Sequence, residues 1–147
     1  YGFLDTFFLS PRLREAERRV RAEAMELLQL FQLEPHAHDR PRNLAYGLQR
    51  RVEICRALVM KPKLLLLDEP AAGMNQGEIS ELVELIRWVR QQFQVTIWLI
   101  EHQMRVVMSI CDRIQVVDFG KTIAQGTPDD IRNDRRVIEA YLGEETV

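Results

Sequence analysis

Two pairs of side chains in this sequence have the chemistry to act on a phosphate. Asp68 and Glu69 follow four consecutive leucines in the stretch LLLLDEPAAGMN, and Glu101 and His102 close the apolar run VTIWLI. A hydrophobic strand ending in Asp holds its carboxylate firmly enough for Mg2+, a hard cation that keeps its waters and needs only one or two such oxygens. A second acid directly after it can take the proton of an attacking water. A histidine at the end of a neighbouring strand can donate a hydrogen bond to the same phosphate. Read without the rest of the chain, Asp68 and Glu69 serve equally well as caps of the following turn.

A third segment, NLAYGLQRR, places Asn43, Ala45 and Gly47 at the opening of a helix, ahead of Arg50 and Arg51. Small residues there let backbone N–H groups approach an anion at the positive end of the helix dipole. By itself the segment is equally an ordinary helix start with a solvated arginine face. The sequence contains one Gly-Lys-Thr, at Gly120–Thr122, but Gln115 stands where a phosphate-binding G-x-x-x-x-G-K-[ST] loop needs its first glycine. Its flanks alternate as two strands, so Gly-Lys-Thr reads as a turn.

The elements that must position these groups follow from periodicity. Ser10-Pro11 caps a helix with Leu13, Ala16, Val20, Leu27 and Phe31 at helical spacing, and a polar loop containing His36 and His38 follows. The next helix carries a stripe of Leu44, Leu48, Val52, Cys55 and Val59 and stops at Lys61-Pro62. Leu64–Leu67 and VTIWLI read as strands buried on both faces. Between them a helix over 77–93 buries Ile79, Leu82, Val83, Ile86 and Val89. A short helix over 103–109, the strand IQVVD, the turn FGK and an extended TIAQG come next, and Thr127-Pro128 with Asp129 and Asp130 opens a last helix. Strands alternating with helices predict an α/β fold with a parallel sheet, in which ligands sit at the carboxyl ends of the strands. Asp68-Glu69 and Glu101-His102 occupy two such ends. The division expected is a helical domain over 1–62 and a strand-containing domain over 63–147.

Bulk properties narrow the function classes. The 147 residues carry a net charge of −2, which gives no reason to expect nucleic acid as a partner. No apolar run approaches the roughly 18 residues of a membrane helix. Cys55 and Cys111 lie far apart in apolar-patterned segments, as buried reduced thiols do in a cytosolic protein. Five arginines between Arg12 and Arg21 alternate with glutamates as a solvated helix face, His36 and His38 read as solvated, and Trp88 and Trp98 as packing residues. The start YGFLDTFFLS has no basic leader and no initiator methionine, so the chain is expected to begin inside a longer protein.

Taken in order, LAYGLQRRVEICRAL, LLLLDEP, AAGMN and LIEH resemble the second half of an ABC-transporter ATPase: signature motif, Walker B strand with its catalytic glutamate, D-loop and switch histidine. LAYG, AAGMN and the ending GTPDDIRNDRRVIEAYLGEE look most like the ATP-binding subunit of branched-chain amino-acid importers. The resemblance implies an incomplete ABC-type (RecA-like) core with a helical signature subdomain. It implies that Asp68 holds Mg2+ through water, Glu69 is the general base and His102 contacts the γ-phosphate. Leu44, Ala45, Tyr46 and Gly47 would face ATP held by a second ATPase subunit, and Asn75 would close a D-loop over Ala72–Asn75 at the dimer interface. Leu48 departs from the family, whose signature has glutamine there. Membrane permease subunits would be the other partners, at the inner face of the cell membrane.

The phosphate-binding loop of that family is missing from these residues, and with it the strand that the family places between VTIWLI and IQVVD. This portion alone is therefore expected to be inactive, in a parent that hydrolyses ATP. Strand edges left unpaired invite association, so self-association is expected as well. The competing reading is a non-catalytic self-associating fragment or assembly module.

Overall fold

The fold comes from a computed structural model, which describes residues 11–142 of the 147-residue chain. The expected cap at Ser10 lies outside the described residues. By the contacts within it the chain divides after Leu65 into two units.

The first unit is helical. Helix α1 (Pro11–Leu30) is followed by two short 3-10 turns, Glu34–His36 and Pro41–Asn43, and by α2 (Tyr46–Leu58). The spacing of apolar residues along α1 does not translate into burial: Leu13, Ala16 and Val20 are exposed, and only Phe31 and Leu33, just past the helix, are fully covered. Periodicity defines a face but does not supply the surface that must cover it. On α2 the buried residues are Ile54, Cys55 and Leu58. Of the expected stripe only Cys55 is buried, and Val59, the C-cap, is exposed because it lies beyond the last helical turn.

The second unit holds the strand ends. Strand β1 (Leu64–Asp68) leads into it, followed by α3 (Gln76–Phe93), β2 (Thr96–Ile100), α4 (Met104–Ile110), β3 (Ile114–Asp118), β4 (Lys121–Gly126), α5 (Pro128–Asn133) and the short α6 (Arg135–Val137). Helix α3 buries all five expected residues, Ile79, Leu82, Val83, Ile86 and Val89. Its start is fixed by a capping box: the Asn75 side chain accepts from the N–H groups of Gly77 and Glu78, and Glu78 Oε2 accepts from the Asn75 N–H at 2.8 Å. Arg87 donates to the Ser109 carbonyl at 2.6 Å and Arg90 pairs with Asp112 at 2.6 Å, tying α3 to the end of α4 and the turn beyond it.

Among the described residues the strands form two separate two-stranded sheets, β1–β2 and β3–β4. The Glu69 N–H, just past β1, donates to the Ile100 carbonyl at the end of β2, so the carboxyl ends of these two strands lie together and the strands run in the same direction. Strands β3 and β4 are antiparallel, joined through Phe119 and Gly120, both at positive φ as a tight hairpin turn requires. The Gly-Lys-Thr sequence sits in that turn and the start of β4.

Burial on both faces of β1 and β2 is not what the structure has. Exposed and covered positions alternate, and Leu66 and Trp98 are 67% and 61% exposed. Trp98 is therefore not a packing residue here: one face of this sheet is open among the described residues. Strands β2 and β3 belong to different sheets, and residues of both line a cavity of about 960 Å3. Trp88 meets Phe93 edge to face, with ring centroids 5.8 Å apart.

The C-terminal elements are the better packed. Val107, Ile114, Val116, Ala124, Ile131 and Val137 form a buried cluster, with Met104, Met108, Cys111, Ile123 and Tyr141 against it. The Tyr141 hydroxyl donates to the Val117 carbonyl at 2.7 Å. Thr127 and Asp130 make a second capping box, at the start of α5. Gly126 is required there, because a Cβ would lie 2.7 Å from the Asp130 Cβ.

Candidate functional site

Strand β1 delivers its last residue, Asp68, exposed at the sheet's carboxyl end, and the chain then turns sharply. Glu69 adopts φ +43, a left-handed conformation that a side chain other than glycine adopts only when its surroundings impose it. Here the Glu69 N–H is held by the Ile100 carbonyl at 2.8 Å, and the turn continues with the Ala72 N–H donating to the Glu69 carbonyl at 3.1 Å. Gly73, at φ +76, completes the path to the Asn75 cap.

The end of β2 meets this turn. His102 Nδ1 lies 3.5 Å from Glu69 Oε1, and both side chains are exposed. The two motifs, 33 positions apart in the sequence, are thus brought to one place by the pairing of β1 with β2. Asp68, Glu69 and His102 share one strand-end edge, and His102, when protonated, can pair with Glu69. Gln76, the first residue of α3, accepts from Arg105 on α4 and ties the far side of the turn to the second helix.

The remaining member of the second pair faces inward. The Glu101 side chain is fully withdrawn from solvent. One carboxylate oxygen accepts from the Ala71 N–H at 2.9 Å, and the other from His102 and Gln103 N–H at 3.0 and 3.1 Å. Gln103 Nε2 adds a bond to the Ala71 carbonyl at 3.2 Å. Sequence reasoning gave a role to His102 and none to Glu101. The available signal was an acid placed directly after a strand, where the backbone turns away and its N–H groups have no ladder partner.

Asn75 has a structural duty in the α3 cap. The segment Leu44–Gly47 belongs to the first unit. Ala45 is the N-cap of α2 and makes no side-chain cap bond, and the first turn holds no acidic residue. A Cβ on Gly47 would meet nothing within 4 Å, so its missing side chain leaves open space over the first turn. Arg50 lies over the Tyr46 ring at 5.1 Å and donates to its hydroxyl at 2.6 Å, while Gln49 Nε2 donates to the Leu44 carbonyl at 2.8 Å. These contacts fix Leu44 and Tyr46 on either side of an uncapped helix start.

Other candidate groups fall away. His36 Nδ1 is 2.8 Å from Asp39 Oδ2 in a surface turn. Cys55 and Cys111 are free, and burial raises the pKa of both thiols. Among the described residues there is no cluster of three or more His, Cys, Asp or Glu side chains suited to a metal. Mg2+ needs no such cluster, because it takes one or two carboxylates and keeps its waters, and exposed Asp68 beside Glu69 offers hard oxygen donors of that kind. No helix among the described residues is long and apolar enough to cross a membrane.

Two family models match the chain: ABC transporter over residues 3–72, and branched-chain amino acid ATP-binding cassette transporter over residues 121–147. The high-affinity branched-chain amino acid transport ATP-binding protein LivG of Salmonella typhimurium is 48% identical over 143 residues, covering 97% of this chain and 56% of LivG. BraF of Pseudomonas aeruginosa, with the same description, is 45% identical over the same shares. The chain thus spans about half the length of the curated relatives it matches. Among solved structures, the ADP conformation of MJ1267, an ATP-binding cassette of an ABC transporter, superposes with a TM-score of 0.77 at 27% identity, over 85% of this chain and 50% of that one.

Proposed function

The chain belongs to the ABC-transporter ATP-binding family and has part of an ABC-type ATPase core as its fold; from that premise we infer that it supplies the hydrolytic half of an ATP site in a branched-chain amino-acid importer. The observation that carries this reading is the meeting of Glu69 and His102, 3.5 Å apart, at the carboxyl ends of two paired strands, beside Asp68.

In this reading Asp68 holds Mg2+, which supplies positive charge against the phosphate oxygens. Glu69 accepts the proton of the attacking water, and its left-handed backbone keeps the carboxylate at the mouth of the turn. His102 donates a hydrogen bond to the terminal phosphate. The uncapped start of α2, with Leu44, Ala45, Tyr46 and Gly47, offers N–H groups to ATP held by a second ATPase subunit, and Asn75 lies at the contact between subunits. Permease subunits hold the assembly at the cytoplasmic face of the membrane, and the amino-acid cargo rests on the likeness to LivG and BraF. The 147 residues contain no G-x-x-x-x-G-K-[ST] loop, so the chain by itself binds and hydrolyses ATP poorly or not at all.

Calorimetry and phosphate release test both halves of this reading. In the intact ATPase carrying these residues, Glu69→Gln is expected to lower phosphate release by about 100-fold or more while Mg-ATP still binds. An undiminished rate would remove Glu69 from its role. The 147-residue chain alone is expected to show no binding up to millimolar ATP, and binding abolished by EDTA would overturn that expectation.

A second reading, a self-associating module without nucleotide chemistry, is favoured by the open face at Leu66 and Trp98 and by the separation of β2 from β3. Sedimentation at micromolar concentration tests it, and a strictly monomeric species rejects it.

A further inference from the structure

Glu101 is the one acidic side chain of the strand-end cluster that cannot meet a ligand, because its carboxylate is 0% exposed. Its two oxygens are spent on opposite sides. Oε1 takes the Ala71 N–H, in the turn that follows Glu69, and Oε2 takes the N–H groups of His102 and Gln103, in the turn that follows β2. A buried carboxylate with three N–H donors, and with His102 Nδ1 4.0 Å from its Oε2, is well satisfied, and its geometry is tightly determined. We propose that Glu101 is a positioning residue: it brackets the two turns so that the His102 imidazole stays within reach of the Glu69 carboxylate. The proposal rests on the reading of Glu69 and His102 as a functional pair, and it extends that reading to the element that couples them.

The coupling has a physical basis in the distances. The His102 backbone is fixed by the same carboxylate that fixes Ala71, two residues after Glu69. Any rotation of one turn against the other must break a bond to Glu101 or the Gln103–Ala71 bond at 3.2 Å. The Glu69–Ile100 backbone bond at 2.8 Å lies outside this bracket and holds the strand ends together without it. Losing the bracket therefore loosens the turns without separating β1 from β2. Glutamine at 101 has one oxygen and one NH2 group, so it can accept on one side only and presents a donor to a donor on the other. Aspartate keeps two accepting oxygens on a stem one methylene shorter.

The test is nuclear magnetic resonance on the 147-residue chain, with and without Glu69→Gln. In the native background Glu69→Gln is expected to shift the His102 imidazole resonances. In Glu101→Gln that response should fall at least threefold, and amide exchange at Ala71 or at His102 and Gln103 should quicken at least tenfold. Exchange along α3 and β4 should stay unchanged. Glu101→Asp should restore part of the response, and it serves as the reporter if Glu101→Gln does not fold.

A His102 response that is as large in Glu101→Gln as in the native chain would overturn the proposal and leave Glu101 as a structural tie. Unaltered exchange at all three amides would overturn the bracket itself. These readouts need no turnover, so a failed ATPase assay would reject the proposed activity and leave the coupling to be judged separately. In the intact ATPase the expected signature of Glu101→Gln is a lower kcat with an unchanged KM for ATP.

Discussion

The hairpin β3–β4 shares a buried core with α4, α5 and α6, while the sheet β1–β2, which carries the strand-end carboxylates and histidine, leaves one face open. Ile131 and Val137 are 1% and 0% exposed in the first region; Leu66 and Trp98 are mostly exposed in the second. Both regions use short strands of five or six residues, so strand length does not make the difference. What differs is the partner. The hairpin is covered by α5 and α6, which follow it closely in sequence, and by Val107 of α4 before it, and it is anchored by the Thr127–Asp130 box and the Tyr141–Val117 bond. The β1–β2 sheet has no such neighbour over its open face among the described residues. The candidate site is held instead by polar bonds between two turns, with Glu101 at their centre. Stability and chemistry are thus lodged in different parts of the same unit, as is common where functional loops ride on a scaffold packed elsewhere.

Substitutions can sharpen that contrast. Ile131→Ala should be the most damaging, lowering unfolding free energy by about 2–5 kcal/mol in urea titrations, because it leaves a cavity in a closed core. A loss below about 1 kcal/mol would mean that the hairpin core relaxes freely and that the contrast is overstated. Asn75→Ala removes two bonds of the α3 capping box and should cost about 1 kcal/mol by the same measurement.

Asp130 tests the hairpin side by pH. The Thr127 hydroxyl and then the Thr127 N–H hold its carboxyl below the ordinary 3.8. A group whose folded value is depressed contributes stability that is present above its unfolded value and is lost as pH falls through the folded one. Thermal melts of native and Asp130→Asn chains should therefore differ at pH 6 and converge as the pH drops below about 4. Parallel curves throughout would exclude a titrating cap.

Smallest of all should be Trp98→Thr on the open face, within about 0.5 kcal/mol of native stability. Its larger consequence would be weaker self-association in sedimentation, and unchanged association would move the contact away from this face.

The paired acids at 68 and 69, the histidine at 102, the turn at Gly120 and the cap at Thr127 were all legible in the sequence, because each depends on neighbours a few residues away. Apolar spacing identified the buried face of α3 completely. The same kind of spacing misread α1, β1 and β2, since an apolar pattern states a preference for burial and cannot state what will cover it. Glu101 was visible only as half of a dipeptide. Its duty depends on Ala71, 30 positions earlier, and a contact across that separation exists only once β1 and β2 are paired.

By itself, then, the sequence determined which residue types stand at the strand ends, where helices begin, and which family of ATP-binding proteins the chain resembles. Local chemistry suffices for these: side-chain pKa range, capping bonds and backbone preferences act over one or two turns. The tertiary structure decided which of those groups meet. It brought Glu69 to His102, turned Glu101 inward to bracket them, separated β2 from β3 and left Trp98 exposed. Those outcomes depend on strand pairing and on the presence or absence of a covering surface, and no run of neighbouring residues encodes either.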